Sequence, residues 1–222
     1  IDLAGEGGLV WTKSRSATLH NHLYDTERGA TKFLLSNSNN AEITSITNNL
    51  TQFNSNGFDL GSFSDVNNSG HTFVSWSFRK APGFFDVQTW AGNDVAGRSI
   101  PHNLGSVPGM IFVKRLDATS SWIVYHRSEG ISKYAKLNTD AAFGASNDYY
   151  WGTSSSEPTA TSFQVGNGNQ VNITGATYVA YLFAHDDQSF GTNSDESIIK
   201  CGEFTTDGSY NGSVTLGWEP QW

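Results

Sequence analysis

The stretch Ile100–Lys114 reads IPHNLGSVPGMIFVK and lies where two similar halves of the chain meet. The segment Leu3–Lys13 (LAGEGGLVWTK) resembles the second part of this stretch, and Leu216–Trp222 (LGWEPQW) resembles its middle. A pattern that returns along a chain is the signature of a repeated structural unit. The sequence therefore predicts an internal repeat.

Two offsets align the halves without internal gaps. At an offset of 101 residues, Lys13 aligns with Lys114. At an offset of 105 residues, the run Thr72–Phe78 aligns with Thr177–Phe183. The additional residues of the second half fall in polar segments, which is where surface loops tolerate insertions.

The repeat predicts a division of the chain into modules. Residues 1–103 form the first module, residues 104–215 the second, and residues 216–222 the start of a third copy. A third offset of 114 residues aligns Phe84-Phe85 with Ile198-Ile199 near the end of each module. Because the chain begins at Ile1 without a Met, we expect it to be processed, trimmed or a fragment, and its end at Trp222, just inside the third copy, favours a fragment of a longer array.

Each half contains short runs of β-branched and aromatic residues separated by turns rich in Gly, Asn and Ser, a pattern typical of β-strands. The predicted strands are Leu9–Trp11, His22–Asp25, Lys32–Leu35, Thr72–Phe78, Phe84–Trp90, Met110–Lys114, Trp122–His126, Lys133–Leu137, Ser162–Val165, Thr177–Phe183, Ser197–Phe204 and Ser213–Leu216. No amphipathic helix of ten residues stands out. The sequence thus predicts an all-β fold of two tandem jelly-roll-like β-sandwich modules.

Composition limits the partners of this chain. The net charge is −8 and no basic run occurs, so we expect no nucleic-acid binding. The single cysteine, Cys201, rules out an intrachain disulfide and a cysteine-based metal site. No apolar stretch approaches the roughly 18 residues of a membrane span, so we expect no membrane insertion.

One loop of the second half carries features of a carbohydrate-binding site. Tyr149, Tyr150 and Trp151 follow Asn147 and Asp148 directly. Aromatic faces can stack on a sugar ring while neighbouring polar groups bind its hydroxyls. The alternative is that these aromatic side chains pack locally or against a neighbouring chain or module.

Acidic loops are the weaker candidates for an ion. Asp186, Asp187 and Asp195 supply oxygen ligands that suit Ca²⁺, although their spacing matches no defined calcium loop. Solvated acidic loops are the alternative. We expect no cofactor other than this calcium.

Catalytic and other metal-binding patterns are weaker still. His20 and His22 lie two residues apart but have no counterpart in the second half. The nearest approach to the paired carboxylates of a glycosidase is Asp25 with Glu27. A turn is predicted directly after this acidic pair. We therefore expect the chain not to be an enzyme.

The motif Pro101–Lys114, followed by Trp122–His126, resembles modules of tail fibres and other virion structural proteins of tailed phages, especially phages of marine cyanobacteria and other marine bacteria. Gly175–Ala184 and Leu216–Trp222 belong to the same pattern, so the resemblance covers nearly the whole chain. It implies a jelly roll of the concanavalin or laminin-G kind. It brings no catalytic residues with it.

The resemblance implies a non-enzymatic virion structural protein in an extracellular appendage such as a tail fibre. We expect partners to be other virion proteins or copies of this chain, with a trimer as one option, and a host-surface glycan or receptor. One alternative is a capsid decoration or assembly protein that binds only virion proteins. The other is a jelly-roll enzyme that cleaves glycans.

Overall fold

A computed structural model describes residues 1–152, 156–187, 189–209 and 211–219. It confirms the all-β prediction, since nearly all of the regular secondary structure among the described residues is strand and α1 (Ser64–Asn67) is a single helical turn. The strands are β1 (Gly8–Ser14), β2 (Asn21–Asp25), β3 (Leu34–Leu35), β4 (Leu50–Asn54), β5 (Gly57–Leu60), β6 (Phe73–Arg79), β7 (Phe85–Ala91), β8 (Arg98–Pro101), β9 (Met110–Arg115), β10 (Ile123–His126), β11 (Lys133–Tyr134), β12 (Gly144–Ala145), β13 (Ser162–Val165) and β14 (Thr177–Phe183).

Two four-stranded antiparallel sheets form the centre of the fold. The first sheet has the order β3-β2-β1-β6, and the second sheet has the order β10-β9-β14-β7. Two-stranded ladders join β11 to β12, β13 to β8 and β4 to β5. The main strands of both four-stranded sheets lie where the β-branched and aromatic runs predict them.

Residues aligned by the sequence offsets occupy corresponding ladder positions in the two sheets. Trp11 lies opposite Trp76 in the first sheet. Their counterparts at offsets of 101 and 105, Phe112 and Tyr181, lie opposite each other in the second sheet. The agreement extends to the β1–β2 and β9–β10 ladders. This correspondence is what an internal repeat requires, and the repeat itself stays a prediction.

Two ladders cross the boundary predicted at 103/104. Strand β7 lies in the first predicted module but pairs with β14, with Thr89 opposite Val179. Strand β8 likewise pairs with β13. The second sheet is therefore completed by a strand from the first half, and the boundary does not separate the sheets.

A shared core lies between the two sheets. It comprises Leu9, Leu23, Leu34, Phe85, Val87, Phe112, Trp122, Val124, Val179, Tyr181, Phe183 and Cys201. Because these residues come from both sheets, the sheets form one sandwich, in which the first sheet comes from the first half and the second sheet comes from the second half together with β7. This arrangement differs from two tandem sandwiches, each with its own pair of sheets.

Each sheet also has a core on its outer face. The first outer core comprises Leu3, Val10, Tyr24, Phe33, Leu35, Leu50 and Val66. The second outer core lies on the second sheet and includes Trp90, Ile100, Leu104, Tyr150, Trp151, Phe163 and Tyr178. Since both faces of each sheet are covered, strands such as β14 are buried at nearly every position.

Three features depart from the predicted elements. Neither Ser197–Phe204 nor Ser213–Leu216 forms a strand in the structure. No other described segment forms a ladder with them, so their strand-like sequences remain unpaired. The helix α1 was not predicted, since a single turn carries no periodic signal. In the predicted third copy, Leu216–Glu219 forms no strand, and residues 220–222 lie outside the described residues.

Candidate functional site

The predicted carbohydrate-binding loop divides into an exposed part and a buried part. Asn147 and Asp148 are exposed, and Tyr149 retains 40% of its surface. Tyr150 and Trp151 retain only 8% and 1% and belong to the second outer core. The prediction that they present faces to a ligand is wrong, because both rings are used in packing.

Aromatic packing explains the burial of Tyr150. Its ring centroid lies 4.3 Å from that of Tyr134 and 4.9 Å from that of Tyr149. Burial, followed by the neighbouring Tyr134, raises the pKa of Tyr150 to about 12. Trp151 is fixed by a β-bridge to Val165 and therefore lies beneath the surface.

Tyr149 is held in place by a glycine-rich segment. A Cβ atom at Gly168 would lie 2.7 Å from Cε1 of Tyr149, so the ring sits directly against the glycine backbone. The Gly168 amide donates a hydrogen bond to the Tyr149 carbonyl (2.8 Å). Asn147 and Asp148 adopt left-handed backbone angles (φ 49° and 61°) in the turn before it. The result is a fixed, half-exposed ring beside two exposed polar side chains.

A second exposed aromatic residue, Phe143, lies in the segment between β11 and β12. Phe143 retains 40% of its surface and directly precedes β12. The strand β12 packs on Tyr134, since a Cβ atom at Gly144 would lie 3.1 Å from that ring. The sequence does not mark Phe143 as a candidate, because a lone aromatic residue outside the Tyr149–Trp151 run carries no local signal.

The calcium candidates do not converge. The Asp186 carboxylate lies 3.5 Å from Nζ of Lys200. The neighbouring Ser197 hydroxyl, together with Lys200, lowers the pKa of Asp186. Asp187 and Asp195 do not join it, because no group of three or more His, Cys, Asp or Glu in the described ranges could hold a metal ion. The calcium site stays a prediction without a supporting ligand set.

The histidine pair is split between solvent and core. His20 is exposed and contacts Asn37. His22 is 1% exposed and lies among Phe33 and Phe63 in the first outer core. Its Nε2 is 3.9 Å from the Asp65 carboxylate, yet burial dominates and lowers the pKa of His22 to about 4. His22 is therefore neutral at neutral pH.

A buried ionic network joins the two sheets. Arg28 binds the Asp25 carboxylate through Nε and the Glu42 carboxylate through Nη1 (3.1 Å). Arg28 Nη2 also donates to the Tyr181 hydroxyl (3.1 Å), which in turn donates to Asp25 (2.8 Å). Burial of Arg28 opposes its charge, but Asp25 and its other partners hold the Arg28 pKa above the ordinary value. Tyr181 lies on β14, so this network crosses the shared core.

The predicted acidic pair does not face one groove. Asp25 is fully buried in the network, whereas Glu27 is exposed and 2.7 Å from Nζ of Lys80. Glu27 lines an open depression of about 510 Å³ together with Glu6, which lies 3.7 Å from Arg79. Both carboxylates of this depression are thus paired with cations.

Lys114 is a buried lysine that was not predicted from the sequence. Lys114 is fully buried and donates from Nζ to the Arg115 carbonyl (2.6 Å). Burial lowers its pKa to about 8. The signal was present in the repeat, since Lys13 and Lys114 interrupt equivalent apolar strands at the offset of 101 residues.

Comparison with known proteins gives a family but no activity. No helix in the described ranges is long and apolar enough to cross a membrane. Neither a curated protein nor a solved structure matches the chain. One family model matches residues 3–222, across both halves and both sheets. The chain therefore belongs to the family described as a domain of unknown function, DUF7483.

Proposed function

We propose that this chain is a structural module of a tailed-phage virion appendage, such as a tail fibre, and that it catalyses no reaction. The observation that carries the proposal is the joining of the two halves by the β7–β14 ladder. Both halves also contribute to the shared core. A body closed in this way resists separation of its halves, which suits a part that transmits force. The sequence resemblance supplies the expected place in a virion.

Further support comes from the location of the side chains whose pKa values depart from the ordinary values. His22, Arg28 and Lys114 are buried at 1%, 7% and 0% exposure, away from any ligand in solvent. Perturbed groups often mark catalytic sites, but structural ion-pair networks perturb pKa values as well. The network of Arg28 links the sheets and fits the structural alternative.

We propose that a host-surface glycan contacts this module at Tyr149. Its ring is half-exposed and fixed against Gly168, and Asn147 and Asp148 are exposed beside it. A rigid ring with adjacent hydrogen-bonding groups is the arrangement that a sugar requires. Tyr150 and Trp151 would support this surface from beneath.

Immunogold labelling tests the place in the virion. Antibodies against this chain are applied to purified particles of a phage that encodes it. Label along the fibres supports the proposal. Label on the capsid supports a decoration protein instead, and absence of label from the particles overturns the virion assignment.

A glycan array and a host-cell binding assay test the contact at Tyr149. The matched control for Tyr149→Ala is Val95→Ala, which removes an exposed apolar side chain elsewhere on the surface. Saturable binding that is lost only in Tyr149→Ala supports the site. Binding that survives Tyr149→Ala would move the site elsewhere, and glycan cleavage would revive the enzyme alternative.

A further inference from the structure

The two sheets differ at one edge. In the second sheet, β7 covers the edge of β14, whereas β6, the counterpart of β14, pairs only with β1 among the described residues. Six of the seven residues of β14 are buried, and none of β6 is. The first sheet therefore has no strand equivalent to β7, which completes the second sheet.

The sheets face each other with equivalent surfaces. Leu9 and Leu23 of the first sheet lie in the shared core with Val124, the counterpart of Leu23 at the offset of 101. Phe78 and its counterpart at the offset of 105, Phe183, have ring centroids 5.4 Å apart. These contacts between equivalent residues are the ones that an approximate two-fold axis between the sheets would produce. Under such an axis, the counterpart of β7 belongs on the free edge of β6.

The counterpart of β7 is found in the C-terminal arm, residues 199–209 and 211–219. At the offset of 114 that aligns Phe85 with Ile199, Phe204 aligns with Trp90 and Val214 with Ile100. Trp90 and Ile100 are buried in the second outer core. Phe204 and Val214 are 64% and 55% exposed. The arm thus has apolar side chains at the positions where β7 and β8 have buried ones, but in the arm these side chains are exposed.

The arm turns away from the folded body of its own chain before it reaches the edge of β6. The Asp186 amide donates to the Ile199 carbonyl (2.8 Å), as the Ala81 amide does to Phe85 (3.0 Å). After this shared start the paths differ, because the Cys201 amide donates to Nδ1 of His185 (3.0 Å). This bond holds the arm at the end of β14. The β6 edge of the same chain is left open.

We propose that the C-terminal arm of one copy adds as a strand to the β6 edge of a second copy of this chain. The register follows from the observed pairing of Trp90 with Tyr178. The offset of 114 relates Trp90 to Phe204, and the offset of 105 relates Tyr178 to Phe73, so Phe204 is expected to lie opposite Phe73. The same register places Gly202 opposite Ser75, so the added strand begins just after Cys201, which stays in the core of its own chain.

The backbone of β6 is oriented for this addition. The Thr72 carbonyl and the Lys80 amide bond to the β1 side (2.8 and 2.9 Å). Since successive residues of a strand bond to alternate sides, Phe73, Ser75 and Ser77 direct their amides and carbonyls to the free edge. An extended segment that supplies complementary backbone groups and an apolar side chain is the usual occupant of such an edge.

Donor and acceptor are different surfaces of the chain, so the contact is heterologous. Such contacts close into rings or continue into filaments, according to the rotation between copies. The inference stands independently of the proposed place in a virion. It adds a defined self-association to the structural role.

Light scattering after size-exclusion chromatography measures the molar mass of the assembly and tests the proposed strand addition with two complementary variants. Phe204→Ser removes the apolar anchor of the arm, and Ser75→Pro removes an outward amide of β6 without touching the β1 ladder. Their controls are Val107→Ser, at another exposed apolar residue, and Ser75→Thr. Wild type and controls should associate as concentration rises, and each variant alone should remain monomeric.

Mixing the two variants gives the decisive result. One retains a working edge and the other a working arm, so an equimolar mixture should form 1:1 dimers that neither variant forms alone. A wild-type chain that is monomeric at every concentration, or association that survives both substitutions, overturns the proposal.

A peptide keeps the test valid if Ser75→Pro fails to fold. A synthetic peptide of residues 197–209 should bind the Phe204→Ser chain and slow amide hydrogen exchange at Phe73, Ser75 and Ser77. Protection of these amides in monomeric wild type, without peptide, would mean that the arm closes on its own chain and would also overturn the proposal.

Discussion

Replacing Tyr181 with Phe tests the buried network that joins the sheets. The substitution removes a hydroxyl that donates to Asp25 (2.8 Å) and accepts from Arg28 (3.1 Å) while keeping the ring in the shared core. A buried hydrogen bond to a charged group contributes about 1.5–3 kcal/mol. Asp25 and Arg28 keep their bond to each other. We therefore expect a loss of about 2 kcal/mol in the free energy of unfolding, or a fall of about 4–8 °C in Tm for a chain of this size.

The matched control for this experiment is Tyr24→Phe. Tyr24 is equally buried, but its hydroxyl has no hydrogen-bond partner in the protein. Removing that unpaired hydroxyl leaves no protein group without a partner, so we expect no loss in the free energy of unfolding. Urea unfolding followed by circular dichroism measures both variants. Equal effects of the two substitutions would refute the assignment of a stabilising role to the network.

Three other properties are open to direct measurement. Because the His22 pKa is lowered to about 4, the unfolded chain takes up the proton first as pH falls below about 6.5. Stability should then fall between pH 6.5 and 4 by about 3 kcal/mol more in wild type than in His22→Phe, as urea unfolding would measure. Trp151→Ala should cost about 3–5 kcal/mol because the ring is 1% exposed, whereas Tyr149→Ala should cost under about 1 kcal/mol in the same assay. Burial raises the Cys201 pKa to about 11, so its thiol should react with a disulfide reagent at pH 8 only when the chain unfolds, and rapid reaction in the native chain would contradict that burial.

Strand positions were accessible from sequence because pattern and composition are local. Thr72–Phe78 and Thr177–Phe183 contain the β-branched and aromatic runs that identify β6 and β14 almost residue by residue. The repeat further aligned these two strands with the same neighbours. What the repeat left open was the destination of β7, because an alternating pattern identifies a strand without naming its partner.

The candidate site was only partly predictable for the same reason. A Tyr-Tyr-Trp run in a long segment is equally compatible with exposure and with a second layer over a sheet. The structure buries Tyr150 and Trp151 because the second sheet has a core on each face. The role of Tyr181 in the ionic network depends on contact with Arg28, 153 residues away, which no local pattern records.

The central claim is that a strand of the first half completes the sheet of the second. Ala91 and Thr177 lie opposite each other at the exposed end of the β7–β14 ladder. The Gly92 amide donates to the Ala176 carbonyl (2.9 Å) in the adjacent pair, so the Ala91–Thr177 pair is not hydrogen-bonded and its Cα atoms are about 4.5 Å apart. That separation is compatible with a disulfide.

The measurement is disulfide formation in Ala91→Cys/Thr177→Cys, in a Cys201→Ser background, read by peptide mapping of the monomer. Ala91→Cys/Ser75→Cys is the control, since its cysteines lie on different sheets. We predict an intrachain disulfide between positions 91 and 177 that raises the free energy of unfolding by up to about 4 kcal/mol. A monomer with both thiols free under oxidising conditions, or a bond that forms only between chains, would contradict the account.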